Sequence, residues 1–267
     1  MAAKKTQSST KPKSEVRSRR ATSELRLLGK VAVVTGGSRG IGYAIARTLA
    51  AEGCTVVIAG RDEAELTKSA TRIRKSVDSQ TNSAQIVAVV CDVRDPKSVS
   101  SLFATVKQRF GKLDVLVNNA GITQPTVTVE ETTLELWHDV IATNLTGMFL
   151  CTRAALPLMS AGATIVNNLS AAAKQVFPKY ATYSAAKRGA LGFTLSLRQE
   201  LIPRGIRVVA LMPGATATDM WDQIMPNAPR DRMVDVESVA QAVLYAVLLP
   251  PSANLSELLL EPTGGAL

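Results

Sequence analysis

Residues 31–42 read VAVVTGGSRGIG. The run from Val31 to Thr35 is apolar or β-branched on consecutive positions, which predicts a strand covered on both faces. Glycines follow at Gly36, Gly37, Gly40 and Gly42. Beyond them Ile41, Ala44, Ile45, Thr48 and Leu49 make one stripe at helical period. A strand that turns tightly on glycine into a helix brings backbone N–H groups to one point, and such a point accepts a diphosphate. The spacing is G-x-x-x-G-x-G rather than G-x-G-x-x-G. Gly36, Ser38, Arg39, Gly40, Ile41 and Gly42 are therefore the expected phosphate cradle.

The same texture recurs along the chain. Short apolar runs lie at 55–60 (TVVIAG), 85–93 (QIVAVVCDV), 114–121 (DVLVNNAG), 163–170 (ATIVNNLS), 206–214 (IRVVALMPG) and 256–262 (SELLLEP). Between them lie helical stretches, such as Val99, Leu102, Phe103, Val106 and Phe110 on one face. Gly53 and Gly111 stand where helices should end, and Asp62 and Asp95 where they should begin. Strand–helix alternation repeated in this way predicts a single α/β domain of Rossmann type over 25–267: doubly wound, with a seven-stranded parallel sheet and helices on both faces. Ligands in such folds sit at the carboxyl ends of the strands. The stretch 215–234, with three Met, one Trp and two Pro, suits either an apolar lid or a plain surface loop.

The 267 residues carry 31 Lys plus Arg and 22 Asp plus Glu, a formal charge of +9. The surplus is concentrated at the start: residues 1–23 hold a net +6 and the remainder only +3. Residues 1–24 are expected to be a disordered basic extension, with a solubilising tail and an anionic-surface binder as its two readings. The near-balanced remainder argues against a nucleic-acid face. One histidine, His138, argues against a metal site and a Ser–His–Asp hydrolase. Cys54, Cys91 and Cys151 have no zinc or disulfide spacing, which points to a reducing compartment, the cytoplasm. No apolar run reaches the roughly 18 residues of a membrane span.

The strand ends carry the chemistry. The second strand ends in Arg61–Asp62, where a dinucleotide site specific for a ribose 2′-hydroxyl would place an acid. Arg61 and Arg39 together suit a 2′-phosphate, and hence NADP(H) as cofactor. Asp62, turned inward, would act on the ribose instead. Asp92 follows the third strand, and accepts either from an adenine amino group, with Val93 against the ring, or from the next loop. Asn118, Asn119, Ala120 and Gly121 end the fourth: the amides tie strands together and Gly121 leaves space for cofactor. Tyr183 and Lys187 stand at i and i+4, one face of a helix. An ammonium beside a phenol is expected to lower the phenol's pKa from about 10. Ser170 ends the fifth strand and is placed to bond a carbonyl oxygen. Asn144, on a locally bent helix, would hold water toward Lys187.

These motifs, in this order, resemble the short-chain dehydrogenase/reductase family over residues 30–262. They are Thr35-Gly36-x-x-x-Gly40-Ile41-Gly42, Asn118-Asn119-Ala120-Gly121, Asn144, Ser170, Tyr183-x-x-x-Lys187 and Pro213-Gly214-x-x-x-Thr218. The resemblance implies a catalytic tetrad of Asn144, Ser170, Tyr183 and Lys187. It implies that Pro213, Gly214, Thr216 and Thr218 border the nicotinamide, and it supports the adenine role for Asp92. The expected reaction is NADPH-dependent reduction of a ketone or aldehyde, or its reverse. TGGSRGIG and PGATATDM resemble the 3-oxoacyl-carrier-protein reductase branch, although 159–163 lacks that branch's basic pair. A carrier-protein reductase proper and a non-catalytic NADP sensor are the alternatives. Thr123, Gln124, Pro125, Val176, Phe177, Trp221 and Met225 are the expected substrate pocket. Small residues Ala186, Gly189, Ala190 and Gly192 predict a helix-to-helix contact, and family members usually form dimers or tetramers.

Overall fold

The computed structural model describes residues 25–77 and 85–265. The basic extension expected over 1–24 lies outside them. Among the described residues seven strands alternate with helices. They are β1 (Val31–Thr35), α1 (Gly40–Ala51), β2 (Thr55–Gly60), α2 (Glu63–Val77), β3 (Ile86–Val90), α3 (Pro96–Phe110) and β4 (Val115–Asn118). Next come α4 (Leu134–Ile141), α5 (Gly147–Ala155), β5 (Thr164–Asn168), α6 (Ala181–Leu201), β6 (Arg207–Pro213), α7 (Val236–Leu248) and β7 (Glu257–Leu260). All pairings are parallel, in the order β3-β2-β1-β4-β5-β6-β7. The doubly wound fold is as expected.

The alternation within β1 explains the two layers. Ala32 and Val34 join the core formed with α1, α2 and α7. Val31 and Val33 join the one formed with α3, α5 and α6. A strand buried on both faces cannot place polar side chains along its length, so polar residues gather at its ends. Chain direction reverses its march across the sheet at β1, which lies between β2 and β4. The crevice for a ligand opens there, at the carboxyl edge.

Helix ends follow the local code. Asp62 Oδ1 accepts from Glu65 N at 3.0 Å and starts α2. Asp95 accepts from the amides of Lys97 and Ser98, with Pro96 at the first position, and Gly111 closes α3 with φ +70°. Helix α7 has no basic residue in its last turn. Arg207 supplies one from β6: its guanidinium donates to Leu249 O at 2.8 Å, Val247 O at 2.9 Å and Ala246 O at 3.3 Å. No sequence signal linked these partners. Removing Arg207 leaves carbonyls without donors. Arg207→Met is expected to lower stability by about 2 kcal/mol in urea unfolding, with NADPH affinity unchanged.

Candidate functional site

The glycine turn is built by close approach. Gly36 has φ +63°, and a Cβ on it would lie 2.9 Å from Ala120 Cα. A Cβ on Gly42 would lie 2.2 Å from Gly36 O. Both glycines thus allow the turn to fold onto itself and onto 119–120. Asn119 holds this contact, donating Nδ2 to Thr35 O at 3.0 Å and Gly36 O at 3.1 Å. Thr35 Oγ1 accepts from the amides of Asn119 and Ala120. Helix α1 starts at Gly40 with no side-chain cap. Its first N–H groups are left for an anion, so the turn fits a diphosphate.

Beside the turn opens a cleft of about 440 Å³, lined by Ser38, Arg39, Gly40, Tyr43, Asp62 and Arg72 among others. Arg39 and Arg61 are both exposed; Arg39 lines this cleft, and Arg61 lies toward Asp92. Arg72 of α2 stacks over the Tyr43 ring at 4.8 Å. The sequence reading missed this guanidinium because it lies mid-helix, away from any strand end. Asp62 caps α2 through Oδ1 and also lines this cleft. Arg39 and Arg72 fit a 2′-phosphate by charge and by their forks of donors, and three acids, Asp62, Glu65 and Asp219, line the same cleft.

At the adenine corner Asp92 takes the loop-capping role, one of its two expected ones: Oδ1 accepts from Arg94 N at 2.9 Å. Asp92 is paired with Arg94, which donates Nη2 to Oδ2 at 2.7 Å and Nε to Oδ1 at 3.0 Å. Arg94 also reaches Asp139 of α4 at 2.9 Å. The guanidinium holds the Asp92 carboxyl below its ordinary value. Val93 is not an open wall for a ring; its side chain is buried against Gly147, where a Cβ would lie 2.7 Å from it.

Between α4 and α5 the backbone widens into a π-turn, Ala142–Thr146, around Asn144. This is the local bend the sequence suggested. Asn144 Oδ1 accepts from Ile122 N at 3.0 Å, and Nδ2 donates to Ile122 O at 2.9 Å. One lone pair and one N–H of the amide remain for water. The space Gly121 leaves is therefore not for cofactor alone: a Cβ there would lie 2.7 Å from Asn144 Oδ1 and 3.7 Å from Lys187 Nζ.

Helix α6 presents Tyr183 and Lys187 on one face, with Nζ 5.5 Å from the ring centroid. Ser170, just past the end of β5, acts on the Tyr183 hydroxyl and pulls its pKa down, while its own Oγ accepts from Ala172 N at 3.2 Å. Lys187 is 5% exposed, and Nζ donates to Asn168 O at 3.1 Å, its one protein acceptor among the described residues. The expected lowering of the phenol is not what the geometry yields. Burial pushes Tyr183 up to about 12, against the pull of Ser170, with Tyr180 adding to the rise. Burial likewise brings Lys187 down to about 8. Desolvation outweighs attraction because the amine lies behind the ring instead of beside the hydroxyl. Tyr180, edge-on to Tyr183 at 6.0 Å, was also missed; its buried hydroxyl has no protein partner among the described residues.

Pro213 and Gly214 end β6, and Gly214 N donates to Leu260 O at 2.7 Å. Thr216 is buried, with Oγ1 donating to Gly214 O at 3.0 Å. Thr218 reaches across the crevice to the glycine turn; a Cβ on Gly40 would meet it at 3.3 Å. The segment 215–234 is pinned at its neck by Ala217 N to Val234 O and Val234 N to Ala215 O, both 2.9 Å. Inside it, Arg230 pairs with Asp222. Of the expected pocket, Val176 and Met225 are exposed and Phe177 and Trp221 half-buried. Thr123 and Gln124 are not pocket walls: both are buried, and the Gln124 amide is engaged with backbone.

The chain resembles known proteins over nearly its whole described length. Residues 30–229 match the family model of the short chain dehydrogenase. A 3-oxoacyl-[acyl-carrier-protein] reductase from Synechocystis is 38% identical over 246 residues, 90% of this chain and 97% of that protein. The crystal structure of a dehydrogenase/reductase from Sinorhizobium meliloti is 30% identical, with a TM-score of 0.80, covering 90% of this chain and 96% of that one. A short chain dehydrogenase from Burkholderia cenocepacia, in complex with NADP, is 32% identical with a TM-score of 0.78, covering 89% and 98%. With the glycine turn, the Asn118–Gly121 run and the Tyr183/Lys187 pair placed as described, the chain belongs to the short-chain dehydrogenase/reductase family.

Proposed function

We propose that the chain is an NADPH-dependent reductase of a small, mostly apolar carbonyl compound. The observation that carries this reading is Tyr183 set between Ser170 and a buried Lys187, whose Nζ lies 5.5 Å from the Tyr183 ring centroid. The group stands at the carboxyl edge of β5, next to a turn that fits a diphosphate. Arg39 and Arg61 hold the 2′-phosphate. Lys187 has two ammonium donors beyond Asn168 O, and these hold ribose hydroxyls. When bound, the reduced dinucleotide supplies the hydride. Ser170 fixes the carbonyl oxygen. Tyr183, raised to about 12, keeps its proton through the neutral range and gives it to that oxygen. Water held at Asn144 restores it.

A non-catalytic sensor would have no use for this acid. A carrier-protein reductase proper finds less support, because 159–163 carries no basic residue. Nearby Arg204 is tied to backbone, donating to Leu156 O at 2.7 Å and Met159 O at 3.0 Å. We further propose a homo-oligomer in the cytoplasm. Half of the small-residue stripe on α6 is spent internally, since Ala186 and Ala190 are buried in the chain's own core. Gly192 faces open space, and Phe149, edge-on to Phe193 at 6.3 Å, and Leu195 are exposed.

A panel of ketones, quinones and acyl thioesters, followed by NADPH oxidation, tests the reading. Tyr183→Phe is expected to lower kcat by about 10²–10⁴-fold while NADPH still binds. Wild-type kcat in that variant would remove the phenol from the mechanism. Arg39→Ala and Arg61→Ala are each expected to weaken NADPH by about 10–100-fold and to leave NADH unchanged. Lys187 allows a test of sign. Its folded pKa, about 8, lies below the ordinary 10.5, so the folded state binds that proton less well than the unfolded chain. The cost is full below pH 8 and fades as pH rises toward 10.5. Lys187→Met is therefore expected to gain about 1–3 kcal/mol of stability at pH 7, less as pH rises toward 10.5, while losing turnover. Urea unfolding at the two pH values measures it.

A further inference from the structure

Helix α6 begins without a cap of its own. Tyr180 stands at the capping position and makes no side-chain bond to the helix. Tyr183 is the third residue of α6, and its N–H is one of those a capping side chain ordinarily satisfies. That bond comes instead from Gln124, 59 residues away: Gln124 Oε1 accepts from Tyr183 N at 2.7 Å. The other end of the same amide donates to Lys179 O at 3.1 Å and Pro125 O at 3.3 Å. Lys179 is the one residue other than glycine with positive φ, at +63°, among the described residues. The amide thus clamps both sides of a strained turn that feeds directly into the helix. Gln124 is 1% exposed, so its amide has no competing water. Two residues earlier, Ile122 is gripped in both directions by Asn144. A strut of three residues therefore runs from Asn144 to the backbone of Tyr183.

We infer that Gln124 is a positioning residue, which sets the Tyr183 phenol by capping α6 at that residue's own N–H. The inference rests on the reductase reading for its catalytic consequence, but its structural half is independent of turnover. The test uses the full-length protein with NADPH and the best carbonyl substrate of the panel. Gln124→Met keeps the volume and removes all three bonds. It is expected to lower kcat about 10–100-fold, as small misplacements of a reacting group do, with NADPH affinity unchanged. Hydrogen exchange of the peptide spanning 179–185 is expected to quicken. A variant with wild-type kcat overturns the inference, as does unchanged exchange at the start of α6. Parallel loss of NADPH binding overturns it too, because the effect would then be general damage. Should Gln124→Met not fold, Gln124→Asn, one methylene too short to reach Tyr183 N, carries the same expectations at smaller size, and wild-type kcat with wild-type exchange overturns it. If the wild type reduces nothing on the panel, the reductase reading fails by itself, and exchange alone decides whether Gln124 holds α6.

Discussion

An ammonium group closed off from water, with one carbonyl to receive it, is the constraint around which the site is arranged. Lys187 is held at Asn168 O, the last residue of β5. Burying such a charge is costly unless it is matched, and here one matching partner serves three donors. The neighbours of Lys187 on α6, Ala186 and Ala190, are fully buried in the core. The unspent donors point to function: the chain keeps a cost at this position that a methionine would remove. The phenol one turn earlier is half-buried, and desolvation of its hydroxyl keeps its proton in place.

The polar groups around this centre are braced by amides more than by charges. Asn118 Nδ2 donates to Asn167 Oδ1 and Thr152 Oγ1, both at 2.9 Å, and Asn167 Nδ2 donates to Thr194 Oγ1 at 2.9 Å. On the opposite face Asn168 Nδ2 donates to Asn119 Oδ1 at 2.8 Å. Asn118 and Asn167 are register partners across β4 and β5. These two layers of amides lock the carboxyl ends of adjacent strands, from which Asn119, Gly121 and Ser170 project. Rigid placement of this kind is what a reaction governed by orientation requires.

Most of the fold was legible because its signals are local. Continuous apolar runs, the glycines of 36–42, Asp95 before Pro96, and Gly111 each act within a few residues of themselves. The Tyr183/Lys187 spacing was legible for the same reason. What escaped was set by partners remote in sequence. Gln124 looked like a pocket wall, since nothing in residues 121–125 announces a bond to a helix 59 residues on. At Gly121 the cofactor reading left out two remote neighbours, Asn144 and Lys187, that a Cβ there would meet. The loop-capping role of Asp92 is local and was legible, but the second hold on Arg94, from Asp139 45 residues away, was not. The direction of the phenol's shift was misjudged because spacing gives adjacency along a helix but not the depth to which the pair is sunk.

The depth of Lys187 can be read without any substrate. Protein labelled with ¹³C at lysine Cε, compared with Lys187→Met to assign the signal, reports this amine's titration by NMR. The account predicts a midpoint near 8. A midpoint at the ordinary lysine value of 10.5 would mean that water reaches the amine, and the buried acid–base pair would have to be abandoned.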